Sequence, residues 1–169
     1  VSHSEFDAFM AGQHAGLLRY AVMLTGDSDL AQDLVQDVLV KVHSRWRRIA
    51  AVEYPTQYVK TMVTREFLSW RRRWAVRNVV LLPTDQLTGE PAGDHARSVV
   101  DRADVWQRLA RLPRQQRAVL VLRYYERLTD PEIAQMLGCS AVTVRGYASR
   151  ALASLRLEAT TELSLDRER

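Results

Sequence analysis

The stretch from Thr129 to Leu155, TDPEIAQMLGCSAVTVRGYASRALASL, leaves this part of the chain few ways to fold. Thr129 stands three positions before Glu132, the spacing at which a hydroxyl and a carboxylate cap each other's backbone amides, so a helix starts here. Pro131 falls in the first turn, where amides have no intrahelical partner and proline is tolerated. Ile133, Ala134 and Leu137 supply a short apolar face, and Gly138 offers the left-handed conformation that ends a helix at little cost. Cys139 follows, and Ser140 is placed to cap a second helix. In that helix Val144, Ala148, Ala151, Leu152 and Leu155 recur at helical spacing, which leaves Thr143, Arg145, Gly146, Tyr147, Ser149 and Arg150 on the other faces. One side of such a helix docks on its own domain, and the other carries the hydroxyls and arginines that phosphates and base edges require. Helical bundles also contain glycine-linked helix pairs whose arginine face is only solvated, because helix-turn-helix geometry has a weak sequence signature. Gly146 leaves a similar choice open. A glycine inside a helix costs about 1 kcal/mol against alanine, so it marks either a close approach to a DNA backbone or simple tolerance.

Charge along the chain bears on that choice. The net charge of +4 is unevenly spread: residues 1–77 hold 11 basic and 8 acidic side chains, 78–98 hold 1 and 3, 99–157 hold 10 and 5, and 158–169 hold 2 and 4. Two basic blocks separated by an acidic connector fit a polyanion touched twice by one chain. Apolar residues make up 47% of the sequence, enough for one medium core or two small ones. No run of eighteen apolar residues and no basic-then-apolar leader occurs, which predicts a cytoplasmic protein with no membrane insertion. The single Cys139 excludes an internal disulfide and a Cys-based zinc cluster, and His3, His14, His43 and His95 lack ligand spacing. No metal and no cofactor is therefore expected.

In the first block, Phe6, Phe9, Met10, Leu17, Leu18, Ala21 and Leu24 predict a helix over 4–25, stopped by Gly26 and Asp27, with Gly12 and Gly16 bending or breaking it. A second helix opens at Asp29 with Leu30, Leu34, Val38, Val42 and Trp46 as its core row. Beside that row lie Asp29, Asp33, Asp37 and Lys41, with Gln32 and Gln36 adjacent. Carboxylates one turn apart can ligate Mg²⁺, but such sites need further carboxylates from another element, and this block supplies none. A solvated face, or a docking face for a basic helix, accounts for the stripe with fewer assumptions. Arg45 to Pro55 reads as a loop, since a residue before proline is pushed out of the helical region. A third helix follows over 56–77 with Val59, Met62, Val63, Phe67, Trp70 and Trp74 in its apolar row. Its end, Ser69-Trp70-Arg71-Arg72-Arg73-Trp74, interleaves cations with rings in the manner of single-strand binders. The other reading makes the tryptophans core and the arginines a solvated helix end.

Pro83, Gly89, Pro91 and Gly93, with Asp85, Glu90 and Asp94, give residues 78–98 the composition of a linker. Fully extended it spans roughly 70 Å. The second block opens with an amphipathic stretch through Val100, Ala103, Trp106 and Ala110, and Pro113 starts the next helix. Leu120, Tyr124 and Leu128 are expected to form the wall on which the helix pair packs. Arg114, Arg117, Arg123 and Arg127 are expected outside it, as phosphate or partner contacts. Residues 158–169 read as a polar tail and a frayed helix end.

The order DLAQDLVQDVLVKVHSRW, YPTQYVKTMVTREFLSWRRRW, an acidic connector, and LPRQQRAVLVLRYYERLTDPEIAQMLGCSAVTVRGYASRALASLR resembles the bacterial extracytoplasmic-function (group 4) sigma factors of the sigma-70 family. The closing block carries most of the specificity: Leu112-Pro113 with Gln116-Arg117, Leu128-Thr129 leading into Glu132-Ile133-Ala134, Leu137-Gly138-Cys139-Ser140, and Thr143-Val144-Arg145. The SWRRR run and the short connector look most like the actinobacterial branch. The resemblance implies an all-α protein of two small domains: a three-helix region 2-like domain over 1–77, and a four-helix region 4-like domain with the helix-turn-helix over 99–157. A flexible acidic linker over 78–98 would join them.

It also implies a non-catalytic promoter-specificity subunit. Asp33, Gln36, Asp37 and Lys41 would bind the β′ clamp helices of core RNA polymerase, the second domain would meet the β flap, and an anti-sigma factor is a candidate further partner. Tyr54, Tyr58, Lys60, Thr61, Thr64 and Arg65 would read and melt the minus-ten element, with Arg71, Arg72 and Arg73 on the upstream backbone. Thr143, Arg145, Gly146, Tyr147, Ser149 and Arg150 would read the minus-35 major groove. Two rivals share some of these features: a stand-alone helix-turn-helix regulator, and a metal-dependent nucleic-acid enzyme built on Asp33 and Asp37.

Overall fold

The computed structural model describes the backbone of residues 3–77 and 107–167, and the side chains of residues 4–69 and 107–156. The described residues are helical, with no strand among them. The chain divides into two compact units, Val1–Ala96 and Arg97–Arg169.

In the first unit three long helices, α1 (His3–Thr25), α2 (Ser28–Ser44) and α4 (Pro55–Arg77), pack pairwise, and a single helical turn, α3 (Trp46–Ala50), lies against α2 and α4. Leu17, Tyr20, Ala21 and Leu24 of α1 meet Leu34, Val35, Val38 and Val42 of α2 and Val59, Val63 and Phe67 of α4, all buried. Burial of this row keeps α1 continuous through Gly12 and Gly16, where propensity predicted a bend or break, because tertiary packing supplies most of a helix's stability. Asp27 caps α2, its Oδ1 accepting from the Leu30 amide at 2.8 Å.

The predicted loop over 45–55 is corrected in its first half: Trp46–Ala50 is helical because Ile49 is anchored in the core. Trp46 meets the rings of Phe6 and Phe9 at centroid distances of 5.5 and 4.8 Å. These contacts are about forty positions apart in sequence, so local pattern carries no trace of them.

The second unit contains a helical stretch over residues 107–111, then α5 (Arg114–Leu120), a wide π-helical turn (Val121–Tyr125), α6 (Asp130–Leu137) and α7 (Ala141–Arg167). The Glu126 amide donates to the Val121 carbonyl at 3.1 Å, five positions back, and Arg127 takes a left-handed φ of 56° in the turn beyond it. The core runs through Leu112, Ala118, Val119, Leu120, Val121 and Leu122, closed by Ile133, Ala134 and Met136 of α6 and Val144, Ala148 and Ala151 of α7. The π turn adds a residue to the helical repeat and rotates the side chains of its second half relative to α5. Tyr124, expected in the packing wall, is therefore 59% exposed, while Leu120 is buried and Leu128 half-buried.

Two of the arginines expected outside are also corrected. Arg117 is 8% exposed, and its Nη2 donates to the Ala110 carbonyl and, at 3.2 Å, to the Leu112 carbonyl. Burial, with the neighbouring charge of Arg114, lowers its guanidinium to about 10, so it stays cationic at neutral pH. Arg123 is tied to Asp130, its Nε donating to Oδ1 at 3.1 Å, which fastens the π turn to the start of α6. Arg127 is exposed and Arg114 half-buried.

Candidate nucleic-acid interface

The helix pair of the second unit is built by the local contacts that its sequence predicts. The Thr129 amide and hydroxyl both donate to Glu132 Oε2, at 2.7 and 2.6 Å, completing the capping box. These bonds lower the Glu132 carboxyl below its ordinary range, hydroxyl first and amide second. Gly138 ends α6 at φ 69°, and the Cys139 amide closes the turn on the Ala134 carbonyl at 3.0 Å. Ser140 then caps α7: its Oγ accepts from the Thr143 amide at 3.1 Å and shares a hydrogen bond with the Thr143 hydroxyl at 2.9 Å.

With Val144, Ala148 and Ala151 buried, α7 can present only its opposite side. Arg145, Ser149 and Arg150 are exposed there, and Thr143, Gly146 and Tyr147 are half-buried. Arg150 is held over the Tyr147 ring, its Cζ 5.2 Å from the centroid, a cation–π contact one turn along the helix. The six residues predicted on this helix thus lie together on one unit. Val142, 68% exposed on the first turn of α7, joins them and was not predicted. Its signal was available, since a valine two positions before Val144 falls on the side of the helix opposite the buried row and has no core partner to meet.

The predicted minus-ten set divides. Tyr54, Tyr58, Thr61 and Arg65 recur at helical spacing and form one row along the start of α4, with Tyr54 67% and Tyr58 41% exposed. Lys60 turns away, its Nζ 5.6 Å from the centroid of Tyr20 on α1. Thr64 belongs to the core: it is fully buried, its hydroxyl donates to the Lys60 carbonyl at 2.9 Å, and it shares a 2.6 Å hydrogen bond with the Tyr20 hydroxyl. A direct nucleic-acid contact from Thr64 is closed off by that burial. The side chains of Arg71, Arg72 and Arg73, with Trp70 and Trp74, lie outside the described residues, as does the predicted linker.

On α2, Asp33, Gln36 and Asp37 are exposed in one stripe. Lys41 continues that stripe but bends inward, its Nζ 2.5 Å from Glu66 Oε2 on α4. The pair sits in a groove of about 260 Å³ lined by Val38, Lys41, Met62, Arg65, Glu66 and Ser69. The groove lies between α2 and α4, with Lys41 from the end of the α2 stripe on one side and Arg65 of the α4 row on the other. Among the described residues no three His, Cys, Asp or Glu side chains converge as metal ligands, and no helix is long and apolar enough to cross a membrane.

Comparison with known proteins matches both units to one family. Residues 11–76 match the family model for sigma-70 region 2, and residues 102–155 match that for sigma-70 region 4. The RNA polymerase sigma-E factor of Streptomyces coelicolor is 35% identical over 91% of this chain and 85% of its own length. The ECF RNA polymerase sigma factor SigL of Mycobacterium tuberculosis is 33% identical over 86% of this chain and 84% of its own. The sigma factor RpoE of Bartonella quintana, solved in complex with the anti-sigma factor NepR, shares the fold, with a TM-score of 0.68 at 23% identity over 90% of this chain and 94% of that one. With both regions matched in order and relatives of this identity along most of its length, the chain belongs to the sigma-70 family as an extracytoplasmic-function RNA polymerase sigma factor, directing transcription initiation.

Proposed function

We propose that promoter recognition is divided between the two units. Residues 99–157 read the minus-35 element through the exposed side of α7, residues 1–77 read and melt the minus-ten element and dock on core polymerase, residues 78–98 link them, and 158–169 form a polar tail. The observation that carries this reading is the α7 row of Arg145, Ser149 and Arg150, set opposite the buried Val144, Ala148 and Ala151. A helix fixed by one side in its own core can enter a major groove only with the other. Arg145 is the candidate base reader, since a guanidinium matches the paired acceptors of guanine. Val142 suits a thymine methyl.

In the first unit, Tyr54, Tyr58, Thr61 and Arg65 supply rings and a cation to unpaired bases, and Asp33, Gln36 and Asp37 supply a negative face to a basic polymerase helix. Unstacking a base costs a few kcal/mol, which those ring contacts must return. The protein acts in the cytoplasm by binding alone and carries out no covalent step. An anti-sigma factor, the class of partner held by the Bartonella relative, is a further partner in this reading.

Run-off transcription with core polymerase on genomic DNA, followed by start-site mapping, tests the whole reading. A common pair of upstream elements is expected, and absence of polymerase-dependent initiation would overturn it. Replacing Arg145 with Ala is expected to cost about 1 to 3 kcal/mol and relax preference at one minus-35 position. Equal weakening on all sequences would make Arg145 a phosphate contact instead.

A further inference from the structure

Among the described residues nothing inside the protein accounts for Gly146 on the α7 face. Glycine is among the poorest helix formers, and Gly146 lies well inside a helix. Where this chain needs glycine conformationally, as at Gly138 with φ 69°, the backbone is left-handed, but Gly146 is not among the positive-φ positions. Packing gives no reason either. A Cβ built at Gly146 would meet only Arg150 Nη2, at 3.8 Å, an ordinary contact with the far end of a flexible side chain. Alanine therefore fits there, with better helix propensity, and the described residues contain nothing that forbids it.

The neighbours of Gly146 indicate what does. Thr143 lies one turn before it and Arg150 one turn after, on the same side, and the exposed guanidinium of Arg150 is held back over Tyr147. The exposed Arg145 flanks it directly. The result is a stretch of helix without a Cβ, flanked by Arg145 and with the movable end of Arg150 beside it, near the Tyr147 ring and the Thr143 hydroxyl. Its own amide is committed to the helix ladder, so this notch offers shape and positive potential and no base-reading donor.

We propose that Gly146 is the contact-distance element of this surface: its missing side chain seats a sugar–phosphate strand of duplex DNA against the α7 backbone, between Arg145 and Arg150. The inference rests on α7 as the minus-35 reader. It adds that close approach at Gly146 sets the depth at which Arg145 reaches the bases.

The test uses the full chain assembled with core polymerase. Its probe is the duplex enriched from a randomised pool by the wild-type complex, with a scrambled duplex beside it. Gly146→Ala and Gly146→Leu both improve helix propensity while adding increasing bulk. Thermal midpoints of the free chain are expected to rise by about 4 °C in both. Affinity for the enriched duplex is expected to fall about tenfold for Ala, the scale of one lost contact in a protein–DNA interface, and further for Leu. Unchanged affinity with raised stability would overturn the proposal and leave a merely tolerated glycine. Lowered stability would overturn it too, by showing that the fold itself needs the glycine. Arg145→Ala, run in parallel, separates this inference from the reading beneath it. If that variant loses selectivity and the Gly146 variants do not, only the notch fails. If the wild-type complex enriches no duplex, both fail.

Discussion

Arg117 gives the sharpest test of how the second unit is held together. As an exposed phosphate contact its removal would leave stability within about 0.5 kcal/mol of wild type, as for most surface substitutions. Its position at 8% exposure, donating to the carbonyls of Ala110 and Leu112, requires a different answer. Two hydrogen bonds from a charged donor contribute about 1.5 to 3 kcal/mol each. Against them stands the burial of the charge, which lowers the guanidinium to about 10 and costs roughly 3 kcal/mol. Arg117→Ala recovers that penalty but loses both bonds and the packing of the aliphatic stem, another 1 to 2 kcal/mol or so. The net loss comes to about 1 to 5 kcal/mol. A unit of this size is stable by only about 4 to 10 kcal/mol, so the loss is large.

Urea unfolding followed by amide exchange at residues of each unit reads the effect locally. At a slope near 1 kcal/mol per molar, the midpoint of the second unit falls by about 1 M or more, while that of the first stays put. Arg117→Met keeps the stem and is expected to lose less, because the orphaned carbonyls are then its main cost. A midpoint within about 0.5 M of wild type for Arg117→Ala, with weakened DNA binding, would refute the buried-clamp account.

Two further expectations rest on particular bonds. Thr64→Val removes the 2.6 Å hydrogen bond to Tyr20 and is expected to cost about 1 to 2 kcal/mol, measured by thermal unfolding. Combined with Tyr20→Phe the cost is expected to be less than additive, and strict additivity would show that the two hydroxyls are not coupled. The capping box gives a pH dependence: Glu132 is held below its ordinary value of 4.5, so its stabilisation is present above that value and is lost as pH falls through the lower folded value. Glu132→Gln is expected to flatten that part of the stability profile, and equal acid sensitivity in the two proteins would exclude the box as its source.

Legible in the amino-acid order alone is whatever the chain decides within four or five residues. The box of Thr129 and Glu132, the stop at Gly138, the cap at Ser140 and the buried row of Val144, Ala148 and Ala151 are all local. Each rests on a hydrogen bond or a helical repeat that closes inside one element. The same repeat leaves Arg145, Ser149 and Arg150 exposed and Thr143, Gly146 and Tyr147 half-buried on the other faces of α7.

Position in the core is another matter, since it depends on which distant element arrives. Tyr20, forty-four positions away, draws Thr64 out of the α4 row, and Glu66 draws Lys41 inward from the α2 stripe. Phe6 and Phe9 meet Trp46 where a loop was expected to begin, and burial of α1 overrides two glycines. The π turn at Val121–Tyr125 rotates Tyr124 outward, and the carbonyls of Ala110 and Leu112 hold Arg117 inside. A sequence determines short-range hydrogen bonding and periodicity by itself. Which polar side chain on a helix is drawn into the core is settled only when the helices pack, because only packing brings the partner whose hydrogen bonds offset the cost of its burial.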